Sequence, residues 1–250
     1  MDRKKVALVT GGVGGIGTAI CKRLARDGYF VVANYAIPGS EQKWTAAMKA
    51  AGLNGTKSAL AFGDVTDFEG IGEMVRKIEA EHGGIDVLVN CAGITRDSTF
   101  RKMTPEQWRA VMSTNLDSVF NVTRHVLDGM VERGWGRIIN ISSVNAVRGQ
   151  FGQTNYAAAK AGILGFTKSL AQEVVRKGVT VNAISPGYVE TDMVMAIRED
   201  VRQKIVSEIP AGRLATTDEI ADAVAFLASE GSSYITGTNL AVNGGLHMYA

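Results

Sequence analysis

Thr10-Gly11-Gly12-Val13-Gly14-Gly15-Ile16-Gly17 is the stretch whose reading decides the architecture. A short apolar run over residues 6–10 leads into it, and apolar residues recur at helical spacing over residues 15–27 beyond it. A strand that passes through a glycine-rich turn straight into a helix opens a β–α unit. The same alternation continues along the chain. Residues 30–34, 58–62, 86–90, 137–141, 179–184 and 239–242 read as further strands, and residues 41–51 as a second helix. The strands are near-continuous apolar runs, so they are expected to be buried on both faces, as in a parallel sheet. Strand–helix alternation of this kind predicts an α/β fold with a doubly wound parallel sheet. With 250 residues and no linker, residues 1–250 read as a single domain.

The glycines carry chemistry as well as shape. They fit G-x-G-x-x-G as Gly12, Gly14 and Gly17, and T-G-x-x-x-G-x-G as Thr10, Gly11, Gly15 and Gly17. Glycine permits a tight turn and lets backbone N–H groups close on a pyrophosphate, at the positive end of the following helix. The turn therefore predicts a Rossmann-type dinucleotide site, with Ile16 in its helical arm. Other polar or small residues stand at the carboxyl ends of the expected strands, where open α/β sheets bind ligands. They are Asn34 and Tyr35, Asp64 and Val65, Asn90 with Ala92 and Gly93, and Pro186, Gly187 and Thr191. The Asp64 carboxylate can accept from an adenine amino group. Singly, each is an ordinary loop residue; together they trace a cofactor.

Tyr156-Ala157-Ala158-Ala159-Lys160 puts a phenol and an amine at i and i+4, on one helix face. A nearby ammonium is expected to lower the phenol's pKa and make it a usable proton donor. Ser143 follows the strand over 137–141, and its hydroxyl can donate to a carbonyl oxygen that gains charge during hydride addition. Asn115 falls within a long helix expected over 105–133, where its amide can hold a water linking Lys160 to solvent. A second long helix is expected over 154–177. Both are apolar on more than one side, which suggests burial against the sheet and against a second subunit.

Bulk properties narrow the class. Net charge is +2 with no run of five like charges, which argues against nucleic acid as a partner. Cys21 and Cys91, the two cysteines, suggest neither a disulfide framework nor a metal site. Met1-Asp2-Arg3-Lys4-Lys5 leads directly into the first strand, and no apolar stretch reaches eighteen residues. No signal peptide and no membrane span are therefore expected, and the cytoplasm is the simplest compartment. Met193 and Met195 follow Thr191, where a mobile lid over an acyl chain is expected.

These residues resemble the short-chain dehydrogenase/reductase family over essentially the whole chain. Cys91 stands where the family's N-N-A-G has its second asparagine. The resemblance implies a catalytic tetrad of Asn115, Ser143, Tyr156 and Lys160, with Tyr156 and Lys160 also touching an NADH or NADPH cofactor, and a homotetramer. Within the family, residues 93–97, 100–104, 134–137, 149–156 and 242–248 resemble the acetoacetyl-CoA reductases of polyhydroxyalkanoate synthesis. That implies an acyl-CoA thioester as substrate, an (R)-3-hydroxyacyl-CoA product, and a substrate site lined by Asp97, Ser143, Gln150, Phe151, Gln153 and Tyr188. The 3-oxoacyl-acyl-carrier-protein reductases are the nearest rival, and a non-catalytic dinucleotide sensor is a third reading. Residues 34–43 hold one lysine, Lys43, no arginine, and the acidic Glu41. That composition leans towards NADH, because a 2′-phosphate calls for cationic donors.

Overall fold

A computed structural model describes residues 3–248, with Met193 described in its backbone only. Met1, Asp2, Tyr249 and Ala250, two of them in the opening segment read above, lie outside the described residues. Seven strands form one sheet: β1 (Val6–Val9), β2 (Phe30–Tyr35), β3 (Ser58–Phe62), β4 (Ile85–Asn90), β5 (Gly136–Ile141), β6 (Val179–Pro186) and β7 (Asn239–Val242). Every pairing is parallel, in the order β3-β2-β1-β4-β5-β6-β7. The chain thus winds outward one way from β1 to β3, then returns to β4 and winds the other way. The crevice between the β1 and β4 carboxyl ends is the switch point at which such sheets take ligands.

Two layers of helices cover the sheet. On one face lie α1 (Gly15–Arg26), α2 (Glu41–Ala50) and α10 (Thr217–Ala228), packed through Ile20, Leu24, Trp44, Met48, Val224 and Leu227. On the other lie α3 (Phe68–His82), α5 (Ser118–Arg133) and α7 (Thr154–Val174), packed through Ile71, Val75, Val122, Val126, Met130, Leu170 and Val174. The remaining helices are α4 (Pro105–Met112), α6 (Asn145–Arg148), α8 (Asp192–Met195) and α9 (Glu199–Glu208). β1, β4, β5 and β6 are buried along their whole length, polar members such as Asp86, Arg137, Asn140 and Asn182 included. The edge strands β3 and β7 are only partly covered, because each has a neighbour on one side alone.

The helix expected over 105–133 is not continuous. A five-residue π turn over Ser113–Asp117 separates α4 from α5, with the Ser118 N–H reaching the Ser113 carbonyl. Its cause is visible in the side chains. Asn115 is fully buried and held by the backbone of Ile94, while Ser118 Oγ caps the Thr114 carbonyl at 2.6 Å. Accommodating one extra residue in the turn swings Asn115 towards the sheet edge, and such π insertions recur at functional sites. The second long helix ends as α7 at Val174 and tightens into a 3-10 turn over Val175–Lys177. Among the described residues, no helix is long and apolar enough to cross a membrane.

Candidate active site

The glycine turn is built by exclusion. Gly11 has φ +60°, and a Cβ there would meet Ala92 Cα at 2.9 Å. A Cβ on Gly12 would meet the Ala33 side chain at 2.8 Å, and one on Gly17 would overlap the Gly11 carbonyl. These three glycines let α1 press onto β1 and β2. Gly14 and Gly15 are exposed on the outer side of the turn, and Ile16 is half-buried beside them. Thr10 Oγ1 accepts from the N–H groups of Cys91 and Ala92 at 3.0 and 3.1 Å, which clasps the β4 loop to the turn. Helix α1 begins with no side-chain cap and no acidic residue in its first turn. Its leading N–H groups have no intrahelical acceptor, and the dipole there is positive.

At the end of β2 the side chains divide. Asn34 is 2% exposed and turned inward: Nδ2 donates to the Gly63 carbonyl at 2.8 Å, and Oδ1 accepts from Gly11 N at 3.4 Å. It braces the turn from beneath instead of presenting its amide to a ribose. Tyr35 is half-buried and edge-on to Phe62, so Tyr35 is the side chain that faces outward there. Asp64 is exposed; Oδ1 accepts from the N–H and hydroxyl of Thr66, leaving Oδ2 for another donor. Val65 beside it is buried, and its carbonyl takes the Asn121 amide at 2.9 Å.

Asn90 and Asn140 are direct neighbours on β4 and β5, joined at 2.8 Å, and the chain of polar groups runs on to Thr123 and Thr167. It ties α5 and α7 through the sheet below the crevice. Beyond it come Cys91, Ala92 and Gly93. Burial pushes the Cys91 thiol up to about 11, so it stays a neutral thiol at ordinary pH. A Cβ on Gly93 would lie 3.5 Å from both Asn115 Oδ1 and Lys160 Nζ, which shows how closely those groups converge. The water-holding role expected of the Asn115 amide is not what the geometry supplies. Nδ2 donates to Ile94 O at 2.9 Å and Oδ1 accepts from Ile94 N at 2.8 Å. Asn115 pins the loop after β4.

Tyr156 and Lys160 share a face of α7, as their spacing requires, and Lys160 Nζ lies 5.8 Å from the Tyr156 ring centre. The amine donates to the Ile141 carbonyl at 2.7 Å and is 4% exposed. Burial pulls it down to about 8. The Tyr156 phenol is raised, chiefly by burial, while its hydrogen bond to Ser143 pulls the other way. The expected lowering of the phenol by Lys160 is therefore reversed: desolvation of the phenolate dominates, and the ammonium is turned towards Ile141. Ser143 is 8% exposed, and its Oγ accepts from Asn145 N at 3.1 Å. Its own proton is then free for Tyr156 or for a substrate oxygen. Ser142 Oγ donates to the Lys160 carbonyl at 2.8 Å, locking β5 to α7 so that the three groups hold register.

The mouth of the crevice is made by three segments. Pro186 ends β6 and Gly187 follows it; Val144 N donates to the Pro186 carbonyl and Gly187 N to the Val242 carbonyl. Thr191 then passes over the turn, its Cγ2 3.4 Å from where a Gly15 Cβ would be. Helices α8 and α9 follow, where a lid is expected, with Met195 half-exposed and the Met193 side chain outside the description. An Arg148–Glu208 ion pair at 3.6 Å joins α9 to α6. Tyr188 is half-buried, its phenol raised by burial, near enough to Arg148, Glu208 and Asp97 to feel all three charges. Gln153 Nε2 donates to Asp97 Oδ2 at 2.8 Å, Gln150 is half-buried, and Phe151 stands 86% exposed on the rim. Asn155 is not among the residues expected at the site. It is fully buried and donates to the carbonyls of Arg96 and Gln107, fastening the loop after β4 and α4 to the start of α7. A polar residue beside Tyr156 at the buried spacing of Ala159 was the available signal.

The uncapped α1 terminus, the glycines that admit no Cβ, and a line of small or polar residues from Tyr35 to Thr191 fit a dinucleotide laid along the sheet edge. The comparisons agree. Residues 12–247 match the family model described as Enoyl-(Acyl carrier protein) reductase. The chain is 59% identical to an acetoacetyl-CoA reductase of Allochromatium vinosum over 98% of its own length and 99% of the relative's. It is 59% identical to nodulation protein G of Azospirillum brasilense, covering 98% of each. It is 48% identical to a 3-oxoacyl-[acyl-carrier-protein] reductase of Escherichia coli, again covering 98% of each. Fold, turn and full-length similarity together show that this chain belongs to the short-chain dehydrogenase/reductase family, whose members are NAD(P)H-dependent oxidoreductases.

Proposed function

We propose that this chain reduces the 3-keto group of a 3-oxoacyl-CoA, acetoacetyl-CoA first, to the (R)-3-hydroxyacyl-CoA. The observation that carries it is the Ser143–Tyr156 pair, buried beside Lys160 at the switch point of the sheet. When bound, the reduced nicotinamide supplies the hydride. Ser143, its Oγ already accepting from Asn145 N, donates a hydrogen bond to the keto oxygen and holds it as charge develops. Tyr156, kept protonated by burial, delivers its proton to that oxygen. Lys160, anchored on Ile141, is the cation that reaches the cofactor ribose. Asn115 keeps the loop at Ile94 in place around them. The glycines Gly11, Gly12, Gly14, Gly15 and Gly17 with Ile16 hold the pyrophosphate, and Asp64 and Val65 the adenine. Asn90, Ala92, Gly93, Pro186, Gly187 and Thr191 line the nicotinamide half. Asp97, Gln150, Phe151, Gln153 and Tyr188 line the thioester.

The names of relatives support the CoA thioester over the carrier-protein one, since the relative named for the carrier protein is the less similar. Intact tetrad positions speak against a non-catalytic sensor. For the cofactor we retain the lean to NADH. Asn34 is engaged inward, Lys43 is ion-paired with Asp192 at 3.6 Å, and Glu41 keeps Oε2 buried without a partner among the described residues. Asn34 and Glu41 offer a 2′-phosphate dianion no cationic donor, and Lys43 is the single cation in residues 34–43. Steady-state kinetics with both nucleotides and with acetoacetyl-CoA and acetoacetyl-carrier protein tests all of this. A kcat/KM for NADPH more than tenfold that for NADH overturns the lean, and a preference for the carrier protein overturns the substrate.

A homotetramer is also proposed. α7 turns Ala158, Ala161 and Gly165 outward, small residues that allow another helix close approach, and in the same layer Phe120 on α5 is 53% exposed. The far side offers Phe226, 51% exposed, and the half-covered edge β7. Two separate self-complementary faces generate a closed tetramer. Light scattering that reports a monomer refutes it. The cytoplasm is the compartment proposed for the chain.

A further inference from the structure

Asn145 is the first residue of α6 and 8% exposed. Its backbone N–H donates to Ser143 Oγ at 3.1 Å. Its side chain leads the other way: Nδ2 donates to Gln153 Oε1 at 2.9 Å, and Gln153 Nε2 donates to Asp97 Oδ2 at 2.8 Å. The direction of this chain is dictated by chemistry. A carboxylate only accepts, so Gln153 must turn its NH₂ to Asp97 and its oxygen to Asn145. Asn145 must then donate, which leaves its Oδ1 as the spare acceptor. That oxygen is buried and has no partner among the described residues. An acceptor left buried and unmade is costly, so the arrangement is complete only when a donor arrives.

The donor's identity follows from where the carboxamide lies and from the reading of the site as a 3-oxoacyl thioester reductase, on which this inference rests. Asn145 stands between Ser143, which meets the keto oxygen, and the Asp97–Gln153 rim through which the rest of the substrate must leave. Along a 3-oxoacyl thioester of pantetheine, the keto oxygen, the thioester oxygen and the sulfur offer no N–H or O–H. The first such donor is the cysteamine amide N–H, two carbons past the sulfur. We propose that Asn145 Oδ1 accepts this amide N–H, making Asn145 a substrate-positioning residue that recognises the pantetheine arm. The Asp97–Gln153 chain acts through it, by holding the carboxamide NH₂ so that the oxygen is the group left to accept. The contact is common to CoA and carrier-protein thioesters. It selects the arm, not what the arm is attached to.

The test compares the acetoacetyl thioester of N-acetylcysteamine, which carries this N–H, with the N-methylated analogue, which lacks it. The wild-type enzyme should favour the first by about tenfold in kcat/KM, chiefly through KM, because the bond lies away from the reacting carbon. In Asn145→Leu, which keeps the backbone bond to Ser143, the two thioesters should be turned over within twofold of one another. A role in folding alone would lower both rates and leave the ratio untouched. If acetoacetyl-CoA is reduced but the wild type treats the two analogues alike, this inference fails and the thioester reading stands. The inference fails equally if Asn145→Leu keeps the tenfold ratio, or if the variant shifts only the KM for the nucleotide. If no 3-oxoacyl thioester is reduced at all, both fall.

Discussion

Replacing Lys160 with methionine should make the protein more stable at neutral pH while it destroys activity. Lys160 is 4% exposed, and its amine falls from the ordinary 10.5 to about 8 because burial penalises the charge. At about 1.36 kcal/mol for each tenfold change in proton binding, the folded state forfeits about 3 kcal/mol to keep that ammonium at pH 7. Methionine fills a similar volume without the charge. It leaves the Ile141 carbonyl without its 2.7 Å donor, which costs about 1 kcal/mol. The net gain is about 2 kcal/mol, or a rise in Tm of roughly 4–8 °C for a chain of this size. The sign with pH follows. The folded pKa lies below the unfolded one, so between about 8 and 10.5 the unfolded chain binds more protons and wild-type stability rises. The advantage of Lys160→Met must therefore shrink across that window and be gone above it. Thermal unfolding at pH 7 and pH 10, without nucleotide, reads both numbers, and the keto-reduction rate should fall at least ~100-fold. A variant less stable than wild type at pH 7 by more than about 1 kcal/mol would refute the reasoning. It would mean that Lys160 gains more from Ile141 and its surroundings than burial takes away.

Tyr156→Phe should lower kcat at least ~100-fold with dinucleotide affinity nearly intact by fluorescence titration, since only the hydroxyl goes; near wild-type turnover removes Tyr156 as the acid. The rate of keto reduction should hold below pH 8, decline as Lys160 loses its proton near 8, and decline again once Tyr156, raised by burial, ionises. A fall centred below pH 7 contradicts those assignments. Gly17→Ala, whose Cβ would overlap the Gly11 carbonyl, should cost about 1–3 kcal/mol and weaken dinucleotide binding at least tenfold. Gly14→Ala, whose Cβ meets nothing nearer than 3.4 Å, should unfold at nearly the wild-type temperature, and equal losses in the two variants would show that the turn is not shaped by close approach.

All seven strands expected from apolar runs are present, with ends that move by at most two residues, as at β6, which continues to Pro186. Proline fits there because a strand's last residue need not donate to the ladder. The Tyr156–Lys160 pair was legible for a similar reason: four residues apart on a helix is a statement about one face. Asn34 shows where that reading stops. Its place at the end of β2 is visible in the sequence, but the direction of its amide depends on Gly63 and Gly11, brought near by β3 and β1. The break at Asn115 is of the same kind, since apolar spacing over 105–133 carries no trace of Ile94 waiting across the crevice.

What the sequence determined by itself was whatever short-range sterics and periodicity encode. These are the sheet's parallel character, the glycine-rich turn between the first strand and the first helix, and the identity of the groups able to move a proton. What only the tertiary structure decided was their state. Tyr156 is raised and not lowered, Lys160 is turned to Ile141, and Asn145 keeps a spare acceptor beside Ser143. Protonation and hydrogen-bond polarity are set by how much water is excluded and by which distant backbone groups stand within about 3 Å. Those neighbours come from β4, β5 and α7, far apart along the chain, so no local pattern could report them.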